Sequence, residues 1–163
     1  MYKNSVKTGN MRKIIGLTVL LGAAVTMAFA FPKEKQEEKQ SVKQEEVGIK
    51  FSSMTYADAL KLSASTGKPI FVDCYTVWCG PCKYLAKNTF TNQEVGDFFN
   101  SNFINLKIEM EKDAEGPELA RLFKVRAYPT LIFVNGKGEL IKESLGYVTP
   151  EQLLAVAKEA VKK

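Results

Sequence analysis

The chain has 163 residues, 45% of them hydrophobic and 25% charged, with a formal net charge of +5 and no histidine. That length allows one ordinary domain plus an appendage. The missing histidine excludes Cys-His nucleophilic catalysis, histidine general bases and histidine metal sites together.

Lys3, Lys7, Arg12 and Lys13 precede an apolar run from Ile14 to Ala30, IIGLTVLLGAAVTMAFA, and no acidic residue comes before Glu34. A basic start, an apolar middle and the small-x-small step Ala28-Phe29-Ala30 predict a secretory signal peptide over residues 1–30. The same run is just long enough to span about 25 Å at about 1.5 Å per residue, so a retained N-terminal membrane anchor is the other reading. Either way the basic end stays in the cytoplasm and the remainder is exported. No cysteine lies near Ala28–Ala30 to make a lipoprotein signal. Residues 1–30 carry four basic groups and no acid, so without them the formal charge falls from +5 to +1. The basicity therefore belongs to the targeting segment and gives no argument for nucleic acid.

Residues 31–50, FPKEKQEEKQSVKQEEVGIK, hold five Lys and five Glu. Such a tract buries too little apolar surface to offset its ordering entropy, which predicts a charged flexible linker. Residues 51–163 are read as the globular domain. Thr55 caps a helix running to about Thr66 and stopped by Gly67. IFVDCY (70–75) is a buried strand, followed by VWCGPCK and a helix from about Pro81. Further helical pieces cover 92–100 and 117–123, and FINLKIEM (103–110) is a strand. TLIFV (130–134) and ELIKESL (139–145) flank Asn135-Gly136-Lys137-Gly138, a hairpin signal. Thr149-Pro150-Glu151 opens a final helix with Leu153, Leu154, Ala157 and Val161 facing in. The order α-β-α-α-β-α-β-β-α predicts an α/β fold with a mixed central sheet and helices on both faces.

Three cysteines are present, Cys74, Cys79 and Cys82. Structural zinc needs four N or S ligands, so a metal here would require an unusual fourth ligand or a dimer. A disulfide closing two intervening residues removes little chain entropy and is a poor staple. The redox reading accounts for the whole motif. Placed after a strand, Cys79 sits at the N-terminus of the next helix, where unpaired amides and the helix dipole favour a thiolate. Gly80 permits the tight turn and Pro81 suits the first helical turn. Cys82, one turn on, can reach back to form the Cys79–Cys82 disulfide. Cys79 is then the exposed nucleophile and Cys82 the shielded resolving thiol.

Asp73 stands out because acids are depleted from strands and a buried carboxylate is costly unless neutral or paired. Burial predicts a raised pKa and makes it a candidate proton acceptor for Cys82. A strand-edge Asp facing solvent is the plainer alternative. Cys74, on the opposite face, is read as a small buried hydrophobe. Trp78 is placed beside the site, shaping the partner surface.

FVDCYTVWCGPCK and VRAYPTLIFVNGKGEL together resemble the thioredoxin family, and the resemblance runs from about residue 55 to 163. It implies a thioredoxin fold, a redox-active cysteine pair without cofactor or metal, and a buried acid at Asp73. It also implies that Pro129, after Tyr128, is the cis-proline that lies against the CxxC motif and pairs with substrate backbone. Lys107 takes roughly the place of the lysine that pairs with the buried acid, although an exposed strand lysine reads equally well. TGKP…WCGPCK…NTF…EV…F…NFINLK further resembles small exported members and the C-terminal domain of membrane thiol:disulfide interchange reductases. That resemblance implies a bacterial cell envelope, a periplasm above all. Its implied partners are envelope proteins bearing disulfides or thiols, with a membrane thiol:disulfide reductase as upstream electron donor. A monomer is expected. Gly80-Pro81 between the cysteines resembles the reducing members, whereas Tyr128 before the proline resembles the isomerase form. Protein-disulfide reduction is the activity expected, with an oxidase, an isomerase, or a non-catalytic adaptor or chaperone as the alternatives.

Overall fold

In the computed structural model, which describes residues 47–162, the chain order of elements is the one the sequence predicts. Helix α1 (Tyr56–Thr66) begins where the Thr55 side chain accepts the Asp58 N–H. It ends at Gly67, whose φ of 73° is the left-handed conformation that glycine adopts at least cost. Strand β1 (Ile70–Tyr75) is buried almost throughout. Helix α2 (Gly80–Asn88) follows, then α3 (Gln93–Asn102), capped by the Asn92 side chain. Strand β2 (Ile104–Glu109), helix α4 (Gly116–Leu122), strands β3 (Thr130–Val134) and β4 (Leu140–Leu145), and helix α5 (Pro150–Val161) complete the order. A reciprocal Thr149–Gln152 capping box starts α5.

The sheet runs β2-β1-β3-β4, with β1 parallel to β2 and antiparallel to β3, and with β3 antiparallel to β4. Asn135 to Gly138 turn the β3–β4 hairpin, Gly138 at φ 79°. Alternation along the strands divides the core. Phe71, Leu131 and Phe133 pack with Leu85 of α2, Val95 and Phe99 of α3, and Leu153, Leu154, Ala157 and Ala160 of α5. Ile70, Val72, Cys74, Leu106, Ile108 and Ile132 pack on the other face with Tyr56 and Ala59 of α1 and Leu119 of α4. The fold is thus α/β with a mixed four-stranded sheet covered on both faces, as expected. Phe71 lies at its centre, its ring 4.7 Å from Phe99 and 5.1 Å from Phe133. Full burial of each such side chain is worth about 1.5–3 kcal/mol.

One inward position was misread. Val161, the last residue of α5, is 40% exposed and lines an open groove of about 400 Å³ with Gly67, Pro69 and Gly136. Ala160 is buried in its stead.

Ahead of α1, a lead-in segment lies against the core. The Ile49 N–H donates to Phe90 O at 2.8 Å and the Ser52 N–H to Asn105 O at 2.8 Å. The Asn100 side chain accepts from the Lys50 N–H and donates to Gly48 O. Gly48 passes so close to α3 that a Cβ on Gly96 would lie 2.5 Å from its carbonyl. Among the described residues no helix is long and apolar enough to cross a membrane. The predicted signal or anchor over 1–30, and the linker as far as residue 46, fall outside the described residues.

Candidate active site

The site forms where β1 gives way to α2. Thr76, Val77 and Trp78 leave the strand, and Cys79 takes the N-cap position of α2 with φ −72° and ψ 109°. Its sulfur accepts the Cys82 N–H at 3.1 Å, and its own N–H donates to Thr76 O at 3.2 Å. A thiol seated there receives the partial positive charge of the helix N-terminus, which favours its anionic form. Gly80 and Pro81 occupy the first turn, where the proline costs no hydrogen bond. Cys79 and Cys82 are joined in a disulfide with Cα atoms 5.3 Å apart.

The expected contrast between an exposed Cys79 and a shielded Cys82 does not appear in this oxidised form. Both residues are 3% exposed, while Val77 and Trp78 are 44% and 63% exposed. The Cys79 sulfur is bonded to Cys82 and accepts its N–H, and Val77 and Trp78 of the preceding turn form the exposed rim.

The Tyr128–Pro129 peptide is cis. Pro129 is buried, and its carbonyl accepts the Gly146 N–H at 2.8 Å. The Tyr128 ring meets the Trp78 ring edge-on at 5.9 Å, which brings the proline loop beside the cysteine turn. Beyond the cysteines, Tyr84 of α2 and Tyr147 form a second edge-on pair at 5.0 Å, both rings partly open to solvent.

Asp73 is 1% exposed, so the solvent-facing reading is wrong for it. It lies two residues beyond Phe71 on the same face of β1, the face that receives α2. In the register it stands beside Lys107, whose Nζ is 2.6 Å from Asp73 Oδ2. The other carboxylate oxygen, Oδ1, is buried with no hydrogen-bond partner among the described residues. Burial raises the Asp73 pKa, and the Lys107 charge and hydrogen bond only partly offset this. Cys74 points into the opposite core and is fully buried. Burial, with the negative charges of Asp73 and Glu143, pushes its thiol pKa up and keeps it protonated.

Two acids that the sequence reading passed over hold the active-site turn. The Glu109 carboxylate accepts the N–H groups of Val77 at 3.1 Å, of Glu111 at 2.9 Å and of Lys112. Burial alone would raise its pKa, but these donors outweigh that and hold it below the usual carboxylate range. Glu111 accepts the Trp78 indole N–H at 2.9 Å. A glutamate at the buried end of an apolar strand is as odd as an aspartate inside one, and that oddity was the available signal. Among the described residues no group of three or more His, Cys, Asp or Glu is placed to hold a metal ion.

A helix-capping cysteine pair beside a cis-proline loop, with a buried acid on the strand that leads into it, defines the thioredoxin class of site. Residues 56–160 match the family model described as the thioredoxin-like domain, and the chain belongs to that family. The family's chemistry is thiol–disulfide exchange through a paired-cysteine site, without a bound cofactor. Among solved structures, a Bacteroides thetaiotaomicron protein provisionally named a disulphide-isomerase is 43% identical. Its TM-score is 0.61, and the match covers 72% of this chain and 97% of that one. Thioredoxin of Alicyclobacillus acidocaldarius is 33% identical over 64% of this chain and 93% of its own length. The thiol:disulfide interchange protein DsbD of Actinobacillus pleuropneumoniae is 34% identical over 58% of this chain, and the match spans only 16% of that longer protein.

Proposed function

We propose that the chain is a protein-disulfide reductase, exported to a bacterial cell envelope by its N-terminal segment and working by dithiol exchange through Cys79 and Cys82. The observation that carries this reading is the cysteine pair at the head of α2, with Cys79 as the cap and Gly80-Pro81 between. In the reduced protein, the Cys79 thiolate attacks one sulfur of a substrate disulfide. A mixed disulfide forms and the substrate's other sulfur leaves as a thiolate. Cys82 then gives its proton to Asp73 and attacks Cys79 Sγ, releasing the second substrate thiolate. Two electrons pass to the substrate, and the Cys79–Cys82 disulfide remains. A dithiol donor must reduce it again, and the DsbD relatives support a membrane thiol:disulfide reductase in that role. Trp78, Tyr128 and Pro129 present the backbone and ring surface on which the substrate segment lies.

Isomerisation is the second reading, favoured by the provisional name of the Bacteroides relative. Reduction of insulin disulfides by the chain, abolished in Cys79→Ser, tests the catalytic role. A redox titration tests the direction, since reducing members lie near −270 mV and strong oxidants near about −120 mV. A value at the oxidising end overturns the reductase assignment. Undiminished client binding with no insulin reduction in the parent would make the chain an adaptor instead.

A further inference from the structure

Lys107 lies between an open groove and the buried Asp73. Its side chain is 27% exposed and borders an open groove of about 390 Å³, lined also by Ser52, Thr55, Asp113 and Glu115. It nevertheless turns inward to Asp73. Three rings meet it there, with centroids 4.2 Å (Tyr75), 5.5 Å (Phe90) and 5.7 Å (Phe51) from Nζ. All three lie within the range over which a ring face attracts a cation, and the attraction grows as the site is desolvated. The rings come from three separate parts of the chain: β1, the α2–α3 connection and the lead-in segment. Phe51 and Phe90 also touch each other edge-on at 5.3 Å.

We propose that Phe51, Tyr75 and Phe90 form an aromatic cage that holds the Lys107 ammonium on Asp73 and so sets the pH range over which the buried acid takes up and returns the redox site's proton. The cage deepens the dithiol reading, on which its functional meaning rests.

The neighbouring charges leave the cation no better carboxylate. Glu109 is occupied by three backbone N–H groups. Asp113 accepts the Glu109 N–H, and Glu115 accepts the Tyr56 N–H with both oxygens. Facing Asp73 itself are Lys107 from β2 and the apolar Leu131 from β3, with the Tyr75 phenol on its own strand. Lys107 is therefore the one cation opposed to Asp73 among the described residues. A looser Lys107 samples the groove, and Asp73 then keeps its proton to higher pH, consistent with the lowering effect of Lys107 on that acid.

The test follows the Asp73 carboxyl carbon by NMR as a function of pH, in the full-length oxidised chain. Tyr75→Leu and Phe51→Leu keep apolar bulk and remove the ring. Each should move the Asp73 titration upward, by roughly half a pH unit for loss of one cation–ring contact, with Tyr75→Leu giving the larger shift. Tyr75→Phe keeps the ring and should titrate like the parent. Lys107→Met should shift Asp73 further, and adding Tyr75→Leu to it should produce no additional change. Titrations of Tyr75→Leu and Phe51→Leu that superimpose on the parent's overturn the cage, even if both variants melt earlier. A full Tyr75→Leu shift that persists without Lys107 overturns it too. The titration needs no turnover, so a parent inactive on insulin would sink the reductase reading and leave this result legible.

Discussion

Replacing Asp73 by Asn removes a carboxylate buried in the described core, and the structure sets the sign of the effect. The carboxylate is 1% exposed, one oxygen faces Lys107 at 2.6 Å and the other has no hydrogen-bond partner among the described residues. Ionising it there costs several kcal/mol of desolvation, of which one charge-assisted hydrogen bond returns about 1.5–3 kcal/mol. In Asp73→Asn the amide oxygen can keep the Lys107 contact. The amide nitrogen takes the place of an oxygen that already lacked a partner, so no new orphan group appears. The net expectation is a gain at neutral pH equal to the part of that desolvation cost which the single hydrogen bond leaves unreturned, on the order of 1–3 kcal/mol, because the partly exposed Lys107 can turn its charge to solvent. The gain must depend on pH in one direction. An unfolded aspartate titrates near 3.8, whereas folded Asp73 keeps its proton to higher pH. Between those values the native state holds the additional proton, so the parent loses stability as pH rises through the window. Urea unfolding of the oxidised proteins, repeated from about pH 4 to 9, should give curves that meet at the acid end and separate upward. A variant less stable than the parent at neutral pH, or a gap that does not change with pH, refutes the reasoning.

The same substitution should slow insulin reduction at the resolving step, seen as accumulated mixed disulfide. Cys82→Ser should trap substrates through Cys79, and gels run with and without reductant would show whether the adducts vanish in Cys79→Ser. Glu109→Gln keeps the size of the side chain but removes the charge and one acceptor. The Val77 amide should then exchange its hydrogen faster and activity should fall with little change in far-UV dichroism. Gly96→Ala puts a methyl group into the Gly48 backbone and should cost about 1–3 kcal/mol, with protection lost first at the Ile49 amide. Unaltered exchange at Ile49 would mean that α3 yields instead of the lead-in segment. Phe99→Ala opens the centre of the aromatic cluster and should cost about 3–5 kcal/mol in a denaturant titration.

The element order was legible because each element carries its own local signal. Thr55, Asn92 and Thr149 are side-chain caps, Gly67 is a left-handed stop, and Asn135–Gly138 turn a hairpin. Each acts over four or five residues, which is the range a linear reading covers. Asp73 was legible for a different reason, as an acid where the pattern calls for an apolar residue. Lys107 was left open because an ion pair 34 residues apart in sequence follows from the β1–β2 register, which local pattern does not specify. The equal burial of Cys79 and Cys82 was not legible because it follows from how the turn and its neighbours pack around the pair, which the motif spacing does not specify. Glu109, Glu111 and the rings around Lys107 come from segments that converge only once the sheet is ordered. Val161 was misplaced because its helical spacing is right while the surface opposite it is an open groove.

Trp78 is the single tryptophan of the whole chain. It directly precedes Cys79, its indole N–H is held by Glu111, its ring meets Tyr128, and most of its surface faces solvent. Fluorescence excited at the red edge of tyrosine absorption therefore reports one place, the rim of the cysteine turn. Opening of the disulfide, arrival of a substrate segment or loss of the Glu111 tether each alters the surroundings of that one ring. The protein carries an optical probe beside its cysteine pair, and stopped-flow emission should resolve opening and closing of the disulfide without any label.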